Sequence, residues 1–259
     1  MIVFSEASEQ LAPSSSANDI RAATEAARLA GRDIFYIPQD FALCENADNA
    51  LWHVPPQKQK KRATWIGYIP DFERYEQIYE AARKKNIHLL NSPPQHKIAQ
   101  EFDAAYERLR ELTPRSFILT SLEECQPAIE HVGLPVFVKG VVQSRKARGW
   151  RVCVAERVEE LRELASYLFE LENRTRGRVV VRELVHLRHN RTSAQEFPLG
   201  REYRVFLYEH RVLELGYYWE GNDVLSDLSS DERAQVTDLA QEASRRLDVP
   251  FVAIDIGQK

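Results

Sequence analysis

The window from His131 to Ala155 holds 25 residues without a single Asp or Glu, where 39 acidic residues in 259 would put about four. Lys139, Arg145, Lys146, Arg148 and Arg151 stand in it instead. Several fixed cations on one loop can neutralise an anion that water would otherwise solvate, which suits a polyphosphate. A flexible surface loop kept soluble by its charge is the other reading of the same residues.

Strand alternation adds a second constraint, because residues two apart share a face. In RVVVRELV, Val180, Arg182, Leu184 and His186 share one face, while Val179, Val181, Glu183 and Val185 share the other. In REYRVFLYE, Glu202 and Arg204 stand beside Phe206. An uncompensated buried charge costs several kcal/mol, so such charges either face a cleft or pair inside the sheet. The pairs that would satisfy them internally are Arg182 with Glu202, or Glu183 with Arg204.

The elements that must carry these residues follow from apolar spacing. Residues 2–4 read as a short strand, 14–18 offer helix N-caps, and 19–30 form an Ala-rich helix stopped by Gly31. A second strand over 33–38 gives the strand, helix, strand order of a parallel sheet. The pattern lapses between Asn46 and Arg62, where PPQKQKKR reads as an exposed loop. ATWIGYIP is a strand, Asp71 caps a helix to about Lys85, and IHLLNSPP is a buried strand entering a turn. Residues 95–112 are predicted as one amphipathic helix, with Ile98, Phe102, Ala105, Leu109 and Leu112 on its apolar stripe. RSFILT is the next strand, and Ser121 with Glu124 forms a capping box for a helix ending near Gly133.

After Leu134 the grammar changes to LPVFVKGVV, WRVCVAE, RVVVRELV, REYRVFLYE and RVLELGYYW, predicted as an antiparallel sheet. Helices are expected at about 158–171 and at 230–247, the latter behind a capping box of Ser229 and Glu232. VPFVAIDIGQK closes the chain as a buried strand.

A net charge of −4 and 44% hydrophobic content describe a globular chain large enough for one large domain or two smaller ones. No apolar run approaches the roughly 20 residues of a membrane span, and the N-terminus lacks the pattern of a signal peptide. A cytoplasmic protein is expected. Cys44, Cys125 and Cys153 have neither disulfide nor zinc spacing and are read as reduced thiols. Basic stretches at 58–62, 145–151 and 174–178 could touch nucleic acid, but the net charge, the pI near 6.0 and the lack of aromatic platforms beyond Trp150 argue against it. His186 and His189, three apart, are read as loop residues rather than metal ligands. Trp219 is a candidate for lining a substrate entrance.

GLPVFVKG after a capped helix, VVVRELV further on, GREYRVF after a loop and FVAIDIG near the end together resemble an ATP-grasp protein in order and spacing, over nearly the whole chain. More narrowly, Lys139 with Arg182 and Arg204 resembles the ATP-grasp clade marked by two arginines and one lysine, whose members are predicted to join amines to carboxylates. The resemblance implies an α/β and α+β fold. A parallel α/β lobe over 1–115 would precede an ATP-grasp domain over 116–259, built as two lobes on antiparallel sheet with the nucleotide cleft between them.

It also implies ATP and Mg2+ as cofactors. Lys139 would bind the α and β phosphates, and Lys97 would be a second lysine directed at the nucleotide. Arg148, in QSRKARGW, would supply charge where relatives carry a Gly-rich loop. Glu183, Leu184 and Val185 would form the adenine hinge, with Glu202 also in the nucleotide site. Arg182 and Arg204 would hold the γ phosphate or a substrate carboxylate, bidentate geometry being the reason for Arg. Asp255 would be a hard oxygen ligand for magnesium. The family pattern continues past that aspartate into a strand bearing a Glu and an Asn, whereas this sequence stops at Lys259. The implied activity is an ATP-dependent carboxylate–amine ligase, acting through an acyl phosphate on a small molecule or peptide. The alternative is a fragment or degenerate module that binds nucleotide without turnover.

Overall fold

Residues 1–8, 11–41 and 44–259 are described by the computed structural model, and their contacts divide the chain into two units, Met1–Lys97 and Ile98–Lys259. The first unit contains β1 (Ile2–Ser5), α1 (Ser15–Leu29), β2 (Asp33–Tyr36), α2 (Ala47–Ala50), β3 (Lys61–Ile66), α3 (Phe72–Lys84) and β4 (Ile87–Leu89). Its four strands are all parallel, in the order β2-β1-β3-β4. Every residue of β1 is buried, as expected of a parallel strand covered on both faces. Ser14 caps α1 by accepting from the Ala17 amide, and Asp71 caps α3 by accepting from the Arg74 amide.

The stretch after Asn46, expected as loop, is partly helical. Asn46 accepts the Asn49 amide at 2.9 Å and starts α2. Leu51 and Val54 then join the core beside Phe4 and Ile78, so the exposed loop is confined to the residues that follow. Burial of two large apolar side chains outweighs the weak local pattern.

The helix predicted over 95–112 is two helices, α4 (Pro93–Gln100) and α5 (Phe102–Leu109), parted at Glu101, whose backbone is extended at φ −112° and ψ 118°. Glu101 is 5% exposed and accepts from Arg178 at 2.6 Å, while the Phe102 amide donates to the Val141 carbonyl at 2.9 Å. Those distant bonds override the helical periodicity.

The second unit continues with β5 (Ser116–Leu119), α6 (Cys125–Val132), β6 (Val136–Gly140), β7 (Val154–Ala155), α7 (Val158–Phe169), α8 (Glu172–Thr175) and β8 (Val179–Glu183). Then come β9 (His189–Thr192), β10 (Pro198–Gly200), β11 (Glu202–Tyr208), β12 (Arg211–Tyr217), α9 (Ser230–Leu247) and β13 (Phe251–Gly257). The antiparallel strands form three sheets rather than one: β5-β8-β6-β7, β12-β11-β13 and the ribbon β10-β9. WRVCVAE contributes only two strand residues, because Trp150–Val152 is a 3-10 turn. Val136, Val138, Val179 and Val181 pack on Ala128, Leu161 and Leu168 of α6 and α7. Val205 and Leu207 pack on Ala240 and Leu247 of α9. The opposite faces of both sheets are thereby left for polar work.

Arg201 ties α9 to the start of β11. It is 4% exposed and donates to Glu232, to Gln258 and to the carbonyls of Leu225 and Asp227. The Arg201 guanidinium beside Glu232 pulls that carboxyl down to about 2. Because this folded value lies below the ordinary one, the contribution is complete above the unfolded carboxylate range and lost as pH falls toward 2. Arg201→Met is expected to lower the thermal midpoint at pH 7 by about 4–8 °C and to flatten the acid limb of the stability profile, read by thermal melts from pH 2 to 7.

Candidate functional site

Lys139 and Arg182 lie on the same face of the four-stranded sheet. Lys139 pairs in register with Val180 and Phe137 with Arg182, so alternation puts both cations opposite the helix-packed face. The Phe102 ring, at the start of α5, lies 4.7 Å from the Lys139 ammonium and 5.3 Å from the Arg182 guanidinium carbon. Arg182 donates to the Thr113 hydroxyl at 2.5 Å, and its buried Nε has no hydrogen-bond partner among the described residues. Burial, then Arg182 and Lys146, push the Lys139 ammonium down to about 7, opposed by Asp255. Burial likewise brings Arg182 down to about 10, opposed by Glu202 and Tyr106.

The three-stranded sheet supplies the other wall. Arg204 of β11 pairs in register with Asp255 of β13, and the side chains form a two-pronged ion pair at 2.8 and 2.9 Å. That bond, ahead of the cost of burial, raises the Arg204 pKa. Glu202, two residues earlier on the same face, lies 3.5 Å from Lys146. Burial raises the Glu202 pKa, with Lys146 opposing and Asp255 adding to the rise. The Lys146 ammonium also sits 4.0 Å from the Tyr218 ring and 4.4 Å from the Trp219 ring, and Arg204 lies 4.7 Å from Tyr218.

Neither internal ion pair expected from the strands forms. Glu183 meets Arg115 at 3.5 Å, Arg204 is held by Asp255, and Arg182 reaches Thr113. A strand's alternation specifies a face, whereas the partner depends on which strand lies next to it.

The basic loop is docked on the protein rather than free. Trp150 packs on Phe197 at 6.1 Å and on His186 at 6.5 Å. Gly149, at φ +105°, lets the Gln195 carbonyl approach to where a Cβ would be 2.6 Å away. Lys146 turns inward to Glu202, while Arg148 is exposed in the 3-10 turn Lys146–Arg148. Leu184 packs on the Cys153, Val154 and Phe197 cluster, and Val185 follows it in irregular chain. Lys97, on α4, is the last residue of the first unit, whereas the other predicted residues belong to the second.

Thr113, Phe102, Lys146 and Tyr218 join the site although the sequence does not select them for it. Phe102 fits an apolar helical stripe and only its contacts reveal its direction; the acid-free window does contain Lys146. The basic stretch 174–178 is occupied structurally, with Arg178 on Glu101 and Asp103 and Arg174 on the Ser144 carbonyl. Cys125 and Cys153 are buried free thiols, and burial raises Cys153 to about 11. Among the described residues no group of three His, Cys, Asp or Glu side chains could hold a metal by itself, and no helix is long and apolar enough to cross a membrane.

Residues 53–259 match the family profile of an ATP-grasp domain, family 3 of the clade named for two arginines and one lysine. The chain belongs to that family. No curated protein sequence matches it. Among solved structures, this ATP-grasp chain is similar to a RimK domain protein ATP-grasp from Sphaerobacter thermophilus, at 12% identity and TM-score 0.59, covering 100% of this chain and 86% of that one. It is also similar to D-alanine–D-alanine ligase from Bacillus anthracis, at 13% and 0.63 with 100% and 82% covered. VanG D-Ala:D-Ser ligase from Enterococcus faecalis follows, at 11% and 0.62 with 99% and 84% covered. A parallel N-terminal sheet followed by antiparallel sheets is the fold that the ATP-grasp chain has in common with these proteins.

Proposed function

We propose that the chain is an ATP-dependent carboxylate–amine ligase, with its nucleotide held in the second unit. The observation that carries this reading is the pair Lys139 and Arg182 on one face: among the described residues the ammonium lacks an ion partner and the buried guanidinium Nε lacks a hydrogen bond. Buried donors left unpaired are costly, and a polyphosphate is the ligand that would satisfy both. The Bacillus anthracis ligase has been solved with ATP, at 13% identity and TM-score 0.59 with 100% of this chain and 81% of that one covered, which supports the same nucleotide here.

In this reading Lys139, with Lys97 as a second lysine, holds the α and β phosphates, and Arg148 adds charge from the docked loop. Glu183, Leu184 and Val185 form the adenine hinge. Arg182 and Arg204 orient the γ phosphate and the substrate carboxylate. Asp255 and Glu202 are hard oxygen donors within one charge cluster, which fits Mg2+, an ion commonly held by one or two carboxylates together with phosphates. Magnesium would supply charge neutralisation at the phosphates. A carboxylate oxygen of the substrate bonds to the γ phosphorus as ADP leaves. The amine nitrogen then bonds to the acyl carbon, phosphate departs, and the nitrogen loses a proton. Positioning and charge carry most of the acceleration. The substrate is a small molecule or peptide, the boundary between the lobes falls near 115–116, and the protein works in the cytoplasm.

A second reading, nucleotide binding without turnover, is favoured by the Arg204–Asp255 pair, which occupies both Asp255 oxygens. Titration calorimetry with Mg·ATP tests the common part. Because Lys139 sits near 7 when free and phosphate favours its charged form, binding at pH 8 is expected to take up a proton, and affinity to fall as pH rises from 7 to 9. Absence of binding would remove both readings. ADP release that requires an added acid and amine would select the ligase.

A further inference from the structure

Phe102 has no role in the assignment above, yet among the described residues its ring is the one that lies against both site cations. Building on the proposed nucleotide site, we propose that Phe102 is a positioning residue whose ring face holds the Lys139 and Arg182 heads side by side while leaving both charges free for phosphate.

Two like charges held together in a half-buried place repel, and something must offset that repulsion. A carboxylate would do so by neutralising them, and would then compete with the incoming phosphate. An aliphatic side chain would offset nothing. An aromatic face attracts cations through its quadrupole yet carries no net charge, so the site stays electropositive.

The residues flanking Phe102 sharpen this. Glu101 and Asp103 are both carboxylates, and both are drawn away by other arginines: Arg178 binds Glu101 at 2.6 Å and also binds Asp103, and Arg176 lies 3.6 Å from Glu101. The acid, aromatic, acid triplet is therefore sorted, with the acids on structural arginines and the ring on the site cations. Helix interruption at Glu101 aims the ring, and the Phe102 amide bond to the Val141 carbonyl locks it in register with Lys139, two residues upstream of Val141. Behind it, Phe102 lies 5.4 Å from Tyr106, whose hydroxyl accepts the Ser116 amide at 2.8 Å.

Phe102→Leu retains apolar bulk and removes the quadrupole. The ionisation of Lys139 is followed without nucleotide by NMR of 13C-dimethylated lysines, assigned through loss of its signal in Lys139→Arg. In Phe102→Leu the Lys139 midpoint is expected to drop by about 0.5–1 pH unit, and the Mg·ATP dissociation constant at pH 7 to rise about 3- to 10-fold. Phe102→Tyr, which keeps the face, is expected to titrate and bind as the parent does. An unshifted lysine in Phe102→Leu overturns the proposal, and so does a Tyr variant displaced as far as Leu. Should the parent fail to bind nucleotide, the site reading fails while the lysine titration still decides the role of the ring.

Discussion

Replacing Lys139 by Met weakens Mg·ATP binding roughly 10- to 150-fold, the range expected for losing a charge-assisted bond to phosphate. The same change leaves the fold intact. Lys139 sits at about 7 because burial and the nearby Arg182 and Lys146 disfavour its charge, so the folded chain holds this proton less tightly than the unfolded chain does. Between about 7 and the ordinary lysine value of 10.5 the unfolded state therefore binds more protons, and parent stability rises with pH through that window. Lys139→Met abolishes this rise and melts no lower than the parent at pH 6. Calorimetric binding at pH 7 and melts from pH 6 to 10 measure the two effects. A Met variant that binds as tightly as the parent would contradict the nucleotide site; one that melts much lower would contradict the burial cost.

Gly140→Ala has the largest expected effect on stability. A Cβ built on Gly140 would lie 2.1 Å from the Arg174 carbonyl oxygen and 2.6 Å from its carbon. That carbonyl accepts the Val142 amide at 3.0 Å, so the main chain after β6 is held against it and cannot yield without losing the bond. A clash with backbone costs about 3 kcal/mol or more, and a drop of about 6–12 °C in the thermal midpoint follows. Nucleotide affinity falls with it, since Lys139 precedes Gly140. Urea and thermal unfolding of the variant read this directly, and a midpoint within 2 °C of the parent, roughly the effect of 1 kcal/mol or less, would contradict the close approach.

Much of the second unit is legible in the sequence because its signals are local. The capping boxes at Ser121/Glu124 and Ser229/Glu232 are both present, and α9 runs over the predicted residues. Alternation in RVVVRELV correctly separates the helix-packed valines from Arg182. The break at Glu101, the short α2 and the hairpin of β9 and β10 are not legible, since each depends on bonds or burial between residues distant in sequence.

The site divides in the same way. Residue types and their order along the chain are enough to select Lys139, Arg182, Arg204 and Asp255 and to indicate an ATP-grasp domain, because charge depletion and strand period are written in the sequence itself. Pairing is decided only in three dimensions. Asp255 meets Arg204 because β13 lies beside β11, Lys146 reaches Glu202 because Trp150 docks its loop, and Phe102 turns to two cations because distant arginines claim its acidic neighbours. Which charges meet, and which remain open to a ligand, is set by the strand order and by contacts made after the chain has folded.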